Sequence, residues 1–243
     1  MSEPTRALAA PTSQVALDEA VHYNRFLVES LASWGRDAGR LLDFGAGNGC
    51  FAGALRERGF DVAAIEPDAS LRERIRARGV PVGKSLEVLG EERFGGIYSI
   101  HVLEHIEDDV ALLAAWRERL VPGGRLFVSV PAFPMLYSAN DARRGRWRRY
   151  RRAGLVSALC TAGFRVVRVR HVDSIGLLVA LWRKALGDRR GELDPAAVRL
   201  YDRVVFPISR ALDAASSGLL GKNLLCEALR SESPATPLAR GSG

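Results

Sequence analysis

Leu41-Leu42-Asp43-Phe44-Gly45-Ala46-Gly47-Asn48-Gly49-Cys50-Phe51-Ala52 (LLDFGAGNGCFA, residues 41–52) decides how the rest of the chain is read. The apolar run Arg40–Phe44 reads as a short buried strand. Three glycines follow, which let a backbone turn sharply and approach a ligand with no side chain in the way. Cys50–Arg58 then has helical character and is closed by Gly59. Its N-terminal amides aim into the space that the glycines open. A second apolar run, Asp61–Ile65, ends at Glu66-Pro67-Asp68. An acid at the end of the second strand is placed to accept both hydroxyls of a ribose.

Outward from this turn, strands and helices alternate. Leu17–Trp34 has helical periodicity. Ser70–Arg78 is a charged helix, Val80–Val82 a third strand, Gly96–Ile100 a fourth, Asp108–Leu120 a helix and Arg125–Val130 a fifth strand. This rhythm predicts an α/β fold with a Rossmann-like, seven-stranded, mostly parallel sheet and helices on both faces. Beyond it the pattern changes. Residues 131–152 are irregular and rich in arginine. Gly154–Thr161 is a helix, Phe164–Val172 a sixth strand, and Asn223–Leu229 the last. Residues 174–218 read as a helical insertion before that strand, two helices around a polar turn at Gly187–Gly191. Residues 1–13 read as a flexible leader, 14–230 as one domain and 231–243 as a flexible tail.

The chain has 243 residues, 47% hydrophobic and 26% charged, which excludes disorder throughout and collagen-like classes. Cys50, Cys160 and Cys226 lie far apart without a CxxC pair, so neither a zinc site nor a disulfide framework is expected. A cytoplasmic location fits, with membrane association left open. The net charge of +7 suggests an acidic partner, yet only Lys84, Lys184 and Lys222 are lysines. That arginine bias is also what a GC-rich genome produces.

The chain resembles the class I S-adenosylmethionine-dependent methyltransferases. LLDFGAGNGCFA (41–52), AAIEPD (63–68), IYSIHVLEHIEDD (97–109) and LVPGGRLFVSVP (120–131) carry the resemblance, in order. Within that class it points to a bacterial subgroup acting on small molecules or glycolipids. Dinucleotide-binding dehydrogenases share the glycine-then-acid logic but lack the acid that precedes the turn here. The resemblance implies S-adenosyl-L-methionine as cofactor. It implies that Asp43 faces the methionine ammonium and that Gly45, Ala46 and Gly47 pass under the methionine and ribose. Glu66 would bind the ribose diol, and Pro67 and Asp68 would flank the adenine. Ser85 and Leu86 stand where many relatives have an Asp-hydrophobic pair against the adenine. His101 would line the sulfonium and its methyl group. Tyr23, on the first helix, is a candidate for the methionine carboxylate.

Pro131–Arg152 (PAFPMLYSANDARRGRWRRYRR) holds seven arginines between positions 143 and 152. The resemblance implies that this segment, after the fifth strand, builds the substrate pocket. Arginine grips phosphate and carboxylate in a bidentate manner. The segment is therefore read as a basic substrate lid with Arg148, Arg149 and Tyr150 as substrate ligands. A lipid-phosphate contact and a solvated charge run remain alternatives. His105, Asp141 and Tyr137 are the candidate bases, needed if the acceptor is a hydroxyl. No amide clamp of the DPPY or NPPF kind follows the fourth strand, and no RNA-binding module is recognisable, so nucleic acid is disfavoured as a partner. No metal ligand cluster is expected. The expected reaction is O- or N-methylation of a small anionic or glycosylated acceptor. A lipid-linked saccharide reached at the membrane surface is the alternative, with Val172–Leu186 as an interfacial helix. A nucleic-acid-binding protein on the same fold is a further alternative.

Overall fold

The computed structural model describes residues 20–185, 194–216 and 218–232. Seven strands, β1 (Leu41–Phe44), β2 (Val62–Ile65), β3 (Val82–Gly83), β4 (Phe94–Ile100), β5 (Leu120–Pro131), β6 (Phe164–Val172) and β7 (Asn223–Arg230), form one sheet. Their order is β3-β2-β1-β4-β5-β7-β6. β1 runs parallel to β2 and β4, while β7 is antiparallel to both β5 and β6. Every residue of β1 and β2 is buried, as parallel strands covered on both faces require. The sheet topology reverses between β1 and β4, which opens a crevice at their carboxyl ends.

Helices α1 (Val21–Gly35), α2 (Cys50–Glu57), α3 (Ala69–Ala77), α4 (Asp109–Arg119), α5 (Ala139–Arg143) and α6 (Arg152–Thr161) follow the chain. Two apolar layers sandwich the sheet. One gathers Phe94, Trp116, Leu126 and Leu155. The other gathers Leu27, Leu31, Leu55, Ile75 and Phe127. The insertion contributes α7 (Ser174–Ala185), α8 (Pro195–Leu200), a π-helical turn at Tyr201–Val205, and α9 (Phe206–Ala215).

Several expectations shift. β5 starts at Leu120, not Arg125, and its register against β4 slips between Phe94 and Gly96. Residues 131–152, expected to be irregular, contain a 3-10 turn at Pro134–Leu136, α5, and a parallel bridge from Ala132 to Tyr150. The leader at 1–13, the polar turn at 187–191 and residues 233–243 of the tail lie outside the described residues.

Candidate functional site

The crevice is built from the ends of β1, β2 and β4. Gly45 turns the chain away from β1 at φ +76°, and a Cβ there would lie 2.4 Å from Val102 Cγ2. Only glycine makes this turn without displacing Val102. The amides of Gly45 and Ala46 donate to the Ile65 carbonyl, which ties the turn to the end of β2. Glu66 is buried. Its Oε2 accepts from the Gly47 amide at 2.8 Å and its Oε1 from the Asp68 amide at 3.0 Å. Each oxygen keeps a further lone pair for a hydroxyl donor. Burial raises the Glu66 pKa above the usual carboxylate range, against the two amides.

Asp43 pairs with Tyr98 across β1 and β4. Its Oδ2 and the Tyr98 hydroxyl are both buried without a hydrogen-bond partner. Burial pushes the Asp43 carboxyl up to about 8, with the nearby Tyr98 hydroxyl opposing and Glu66 adding. A buried carboxyl with an oxygen left unpartnered calls for a cationic or donor ligand. The methionine ammonium and ribose hydroxyls of S-adenosylmethionine are donors, and Asp43 and Glu66 are acceptors, so the residues present fit the cofactor.

Pro67 and Asp68 follow directly. Asp68 caps α3 through the Leu71 amide at 3.0 Å, and Arg72 donates to the carbonyls of Glu66 and Pro67. Ser85 and Leu86 open a short 3-10 turn, Leu86–Leu89, just after β3, and both are half-buried.

His101 ends β4 in the left-handed region, φ 57°. Such a conformation in a residue other than glycine concentrates at functional sites. Its Nε2 lies 3.2 Å from the Tyr23 hydroxyl, which also accepts from Asn223 Nδ2 at 3.2 Å. Its Nδ1 lies 3.6 Å from Glu104 Oε1. Glu104 is fully buried, and neither of its oxygens has a hydrogen-bond partner. Burial alone would raise its pKa. The facing His101, Arg146 and His105 outweigh burial and hold it below the usual range. Glu104, His101 and Tyr23 thus form a line of polar groups just past the end of β4. The sequence reading passed over Glu104. Its position inside the apolar run Val102–Ile106 was the available signal, because a carboxylate there must be buried with a partner.

The structure gives the candidate bases and substrate ligands partners within the protein. Asp141 accepts from the Ser138 amide and hydroxyl and from Arg146 and Arg149. Burial alone would raise its pKa, but these two arginines hold it below the ordinary range, which makes it a poor base. The Tyr137 hydroxyl donates to the Arg146 carbonyl at 2.6 Å. His105 is mostly buried, and its Nδ1 donates to the Gly145 carbonyl at 3.1 Å. Burial lowers its pKa below the ordinary imidazole value, against the facing Glu104. Arg149 is spent on Asp141. Arg148 pairs with Asp109 at 3.0 Å and donates to the Glu107 carbonyl. The Tyr150 hydroxyl donates to Asp109 Oδ2 at 2.7 Å. Arg148 and Tyr150 therefore fasten residues 134–150 onto the Leu103–Asp109 stretch, while Arg149 ties the segment to its own Asp141.

One anchor came with no sequence signal. α1 lacks a cap from its own Ala20. Asp202, in the π turn, accepts from the amides of His22 at 2.7 Å and Tyr23 at 2.9 Å. A separate cavity of about 620 Å³ lies between α1, α9 and the β6–β7 edge. Its lining includes none of the crevice residues.

The methyltransferase-domain family matches residues 18–169 of this chain. The ubiquinone biosynthesis O-methyltransferase of Xylella fastidiosa (strain 9a5c) is 36% identical over 100 residues, which cover 37% of this chain and 41% of that relative. The chain thus spans less than half the length of that curated relative. Haemonchus contortus phosphoethanolamine N-methyltransferase 2, solved in complex with S-adenosyl-L-methionine, is similar at TM-score 0.60 and 15% identity, over 96% of this chain and 61% of that one. An S-adenosylmethionine-dependent methyltransferase from Archaeoglobus fulgidus is similar at TM-score 0.57 and 16% identity, over 88% of this chain and 98% of that one. At such identities these structures speak to the fold.

Proposed function

This chain belongs to the methyltransferase-domain family, and we propose that it is an S-adenosylmethionine-dependent enzyme whose acceptor atom is a hydroxyl oxygen of a small polar molecule. The observation that carries this reading is the buried Glu104 facing His101 beside Tyr23. A hydroxyl must lose a proton during transfer, whereas a neutral amine need not lose one before attack. A histidine beside a buried carboxylate supplies such a base, because the carboxylate's charge stabilises the imidazolium. The O-methyltransferase relative supports the same choice of atom.

Asp43 and Glu66 would hold the cofactor by its ammonium and ribose, with the glycine turn beneath it. When bound, S-adenosylmethionine supplies a methyl group already activated by the sulfonium. His101 takes the acceptor proton at Nε2, where the acceptor hydroxyl would take the place of the Tyr23 hydroxyl, while Glu104 faces Nδ1 at 3.6 Å. The protein must also hold the acceptor oxygen in line with the methyl, at about 3–3.5 Å. An anionic acceptor finds no support in Arg148 and Arg149, since both are paired within the protein. The glycosylated acceptor stays within the proposal.

The test is transfer of labelled methyl to a panel of hydroxylated and amino acceptors, with wild type and His101→Gln. Label is expected on hydroxyls, and His101→Gln is expected to lower kcat by about 10²–10⁴-fold with cofactor affinity kept. Labelling of amines only, or an unimpaired variant, contradicts the reading.

A further inference from the structure

We propose that the outer face of the insertion is a docking surface for an anionic lipid bilayer. Leu200, Val204, Ile208 and Leu212 recur every fourth residue along α8, the π turn and α9, a spacing that puts them on one face. Each is between 48% and 65% exposed. α7 packs against α9 and exposes Leu178 and Trp182 as well. Isolated surface leucines need no explanation, but a continuous apolar face of this kind marks an interaction site.

Charge selects the partner. The acids within these helices, Asp202 and Asp213, are both buried. Asp202 caps α1, and Asp213 accepts from the amides of Asp173 and Ser174. Asp173, just before α7, is buried too and takes Lys222, Tyr201 and Ser209. Among the described residues of α7 to α9, Arg199 and Arg203 in α8 and the π turn and Lys184 in α7 are exposed, and the one exposed acid is Asp194 at the cap of α8. An apolar stripe flanked by exposed bases, with Asp202 and Asp213 turned inward and only Asp194 exposed, at the far end, suits an interface with anionic head groups. A second copy of this chain would place those bases against each other.

The inner side of the same insertion reaches the crevice. Phe206 packs edge-on against Tyr23 with ring centres 5.4 Å apart, and Tyr23 touches His101. Docking would therefore set the crevice mouth beside the membrane and admit a lipid-borne acceptor. That last step rests on the hydroxyl-methylation reading, while the docking does not.

Flotation of the full chain with phosphatidylglycerol-containing vesicles, and with phosphatidylcholine vesicles, tests the docking without any acceptor. Binding is expected to the anionic vesicles and to weaken at least tenfold on phosphatidylcholine, in high salt, and in the double variant Ile208→Glu/Leu212→Glu. Calorimetric binding of S-adenosylhomocysteine reports whether that variant is folded. If it is not, Arg203→Glu replaces it, and a threefold or larger loss is expected. The proposal is overturned if wild type stays off anionic vesicles at low salt, or if the folded variants bind as wild type does. It is also overturned if light scattering shows a dimer that the double variant dissolves. Failure of methyl transfer with intact vesicle binding would strike only the acceptor reading.

Discussion

Asp43 is a carboxyl group that the fold buries at an energetic cost and a cationic ligand would relieve. Its pKa stands near 8, against roughly 3.9 in an unfolded chain. The folded protein therefore holds a proton that the unfolded chain has lost throughout that interval. Stability conferred by this group is full below about pH 4 and declines as pH rises towards 8. A ligand bearing an ammonium favours the ionised form, so binding should expel the proton. Calorimetry of S-adenosylhomocysteine at pH 7, in buffers of different ionisation enthalpy, is expected to show proton release and an affinity that rises with pH up to about 8. Absence of proton release would mean that Asp43 is already ionised in the free protein.

At the scale of elements, the segment from Pro134 to Tyr150 is a strap held by ion pairs. Asp141 joins α5 to Arg146 and Arg149, both mostly buried. Asp141→Ala leaves two guanidinium groups without their carboxylate, which should cost about 3–5 kcal/mol. In a chain of this size that is a Tm drop on the order of 10 °C. Activity per folded molecule should change little, measured after correction for the folded fraction. Wild-type stability with a collapse of kcat would restore Asp141 as a base. The local code explains what could be read in advance. The glycines at 45, 47 and 49 and the acids at 43 and 66 announce themselves because positive φ and buried carboxylates restrict the residue type. The arginine partners do not, since Asp109 lies 39 residues before Arg148 and nothing local records the pairing. Hence the sequence shows an arginine-rich stretch but not that Arg148 and Arg149 are paired within the protein.

Across the whole molecule, the insertion and the first helix act as one cover. Asp202 caps α1 across a separation of 180 residues. The parallel sheet and its crevice were legible from the alternation of runs. The long-range cap was not, because α1 simply lacks a capping residue of its own and any distant acid can serve. Asp202→Ala should cost about 1–2 kcal/mol. Hydrogen exchange should speed up at the first-turn amides of α1 and leave β1 and β4 protected. Unchanged exchange at His22 and Tyr23 would show that the cap carries no weight. Because Tyr23 touches His101, loosening α1 should also lower kcat for methyl transfer.

The central claim is that Asp43, the glycine turn and Glu66 form a crevice for S-adenosylmethionine. Calorimetric titration of S-adenosylmethionine and S-adenosylhomocysteine into wild type and Glu66→Ala tests it most directly, with a thermal melt of each protein to confirm folding. Micromolar binding to wild type is expected, weakened at least tenfold in the variant, or about 1.4 kcal/mol. No binding of either ligand to wild type, or equal binding to a folded Glu66→Ala, would contradict the account.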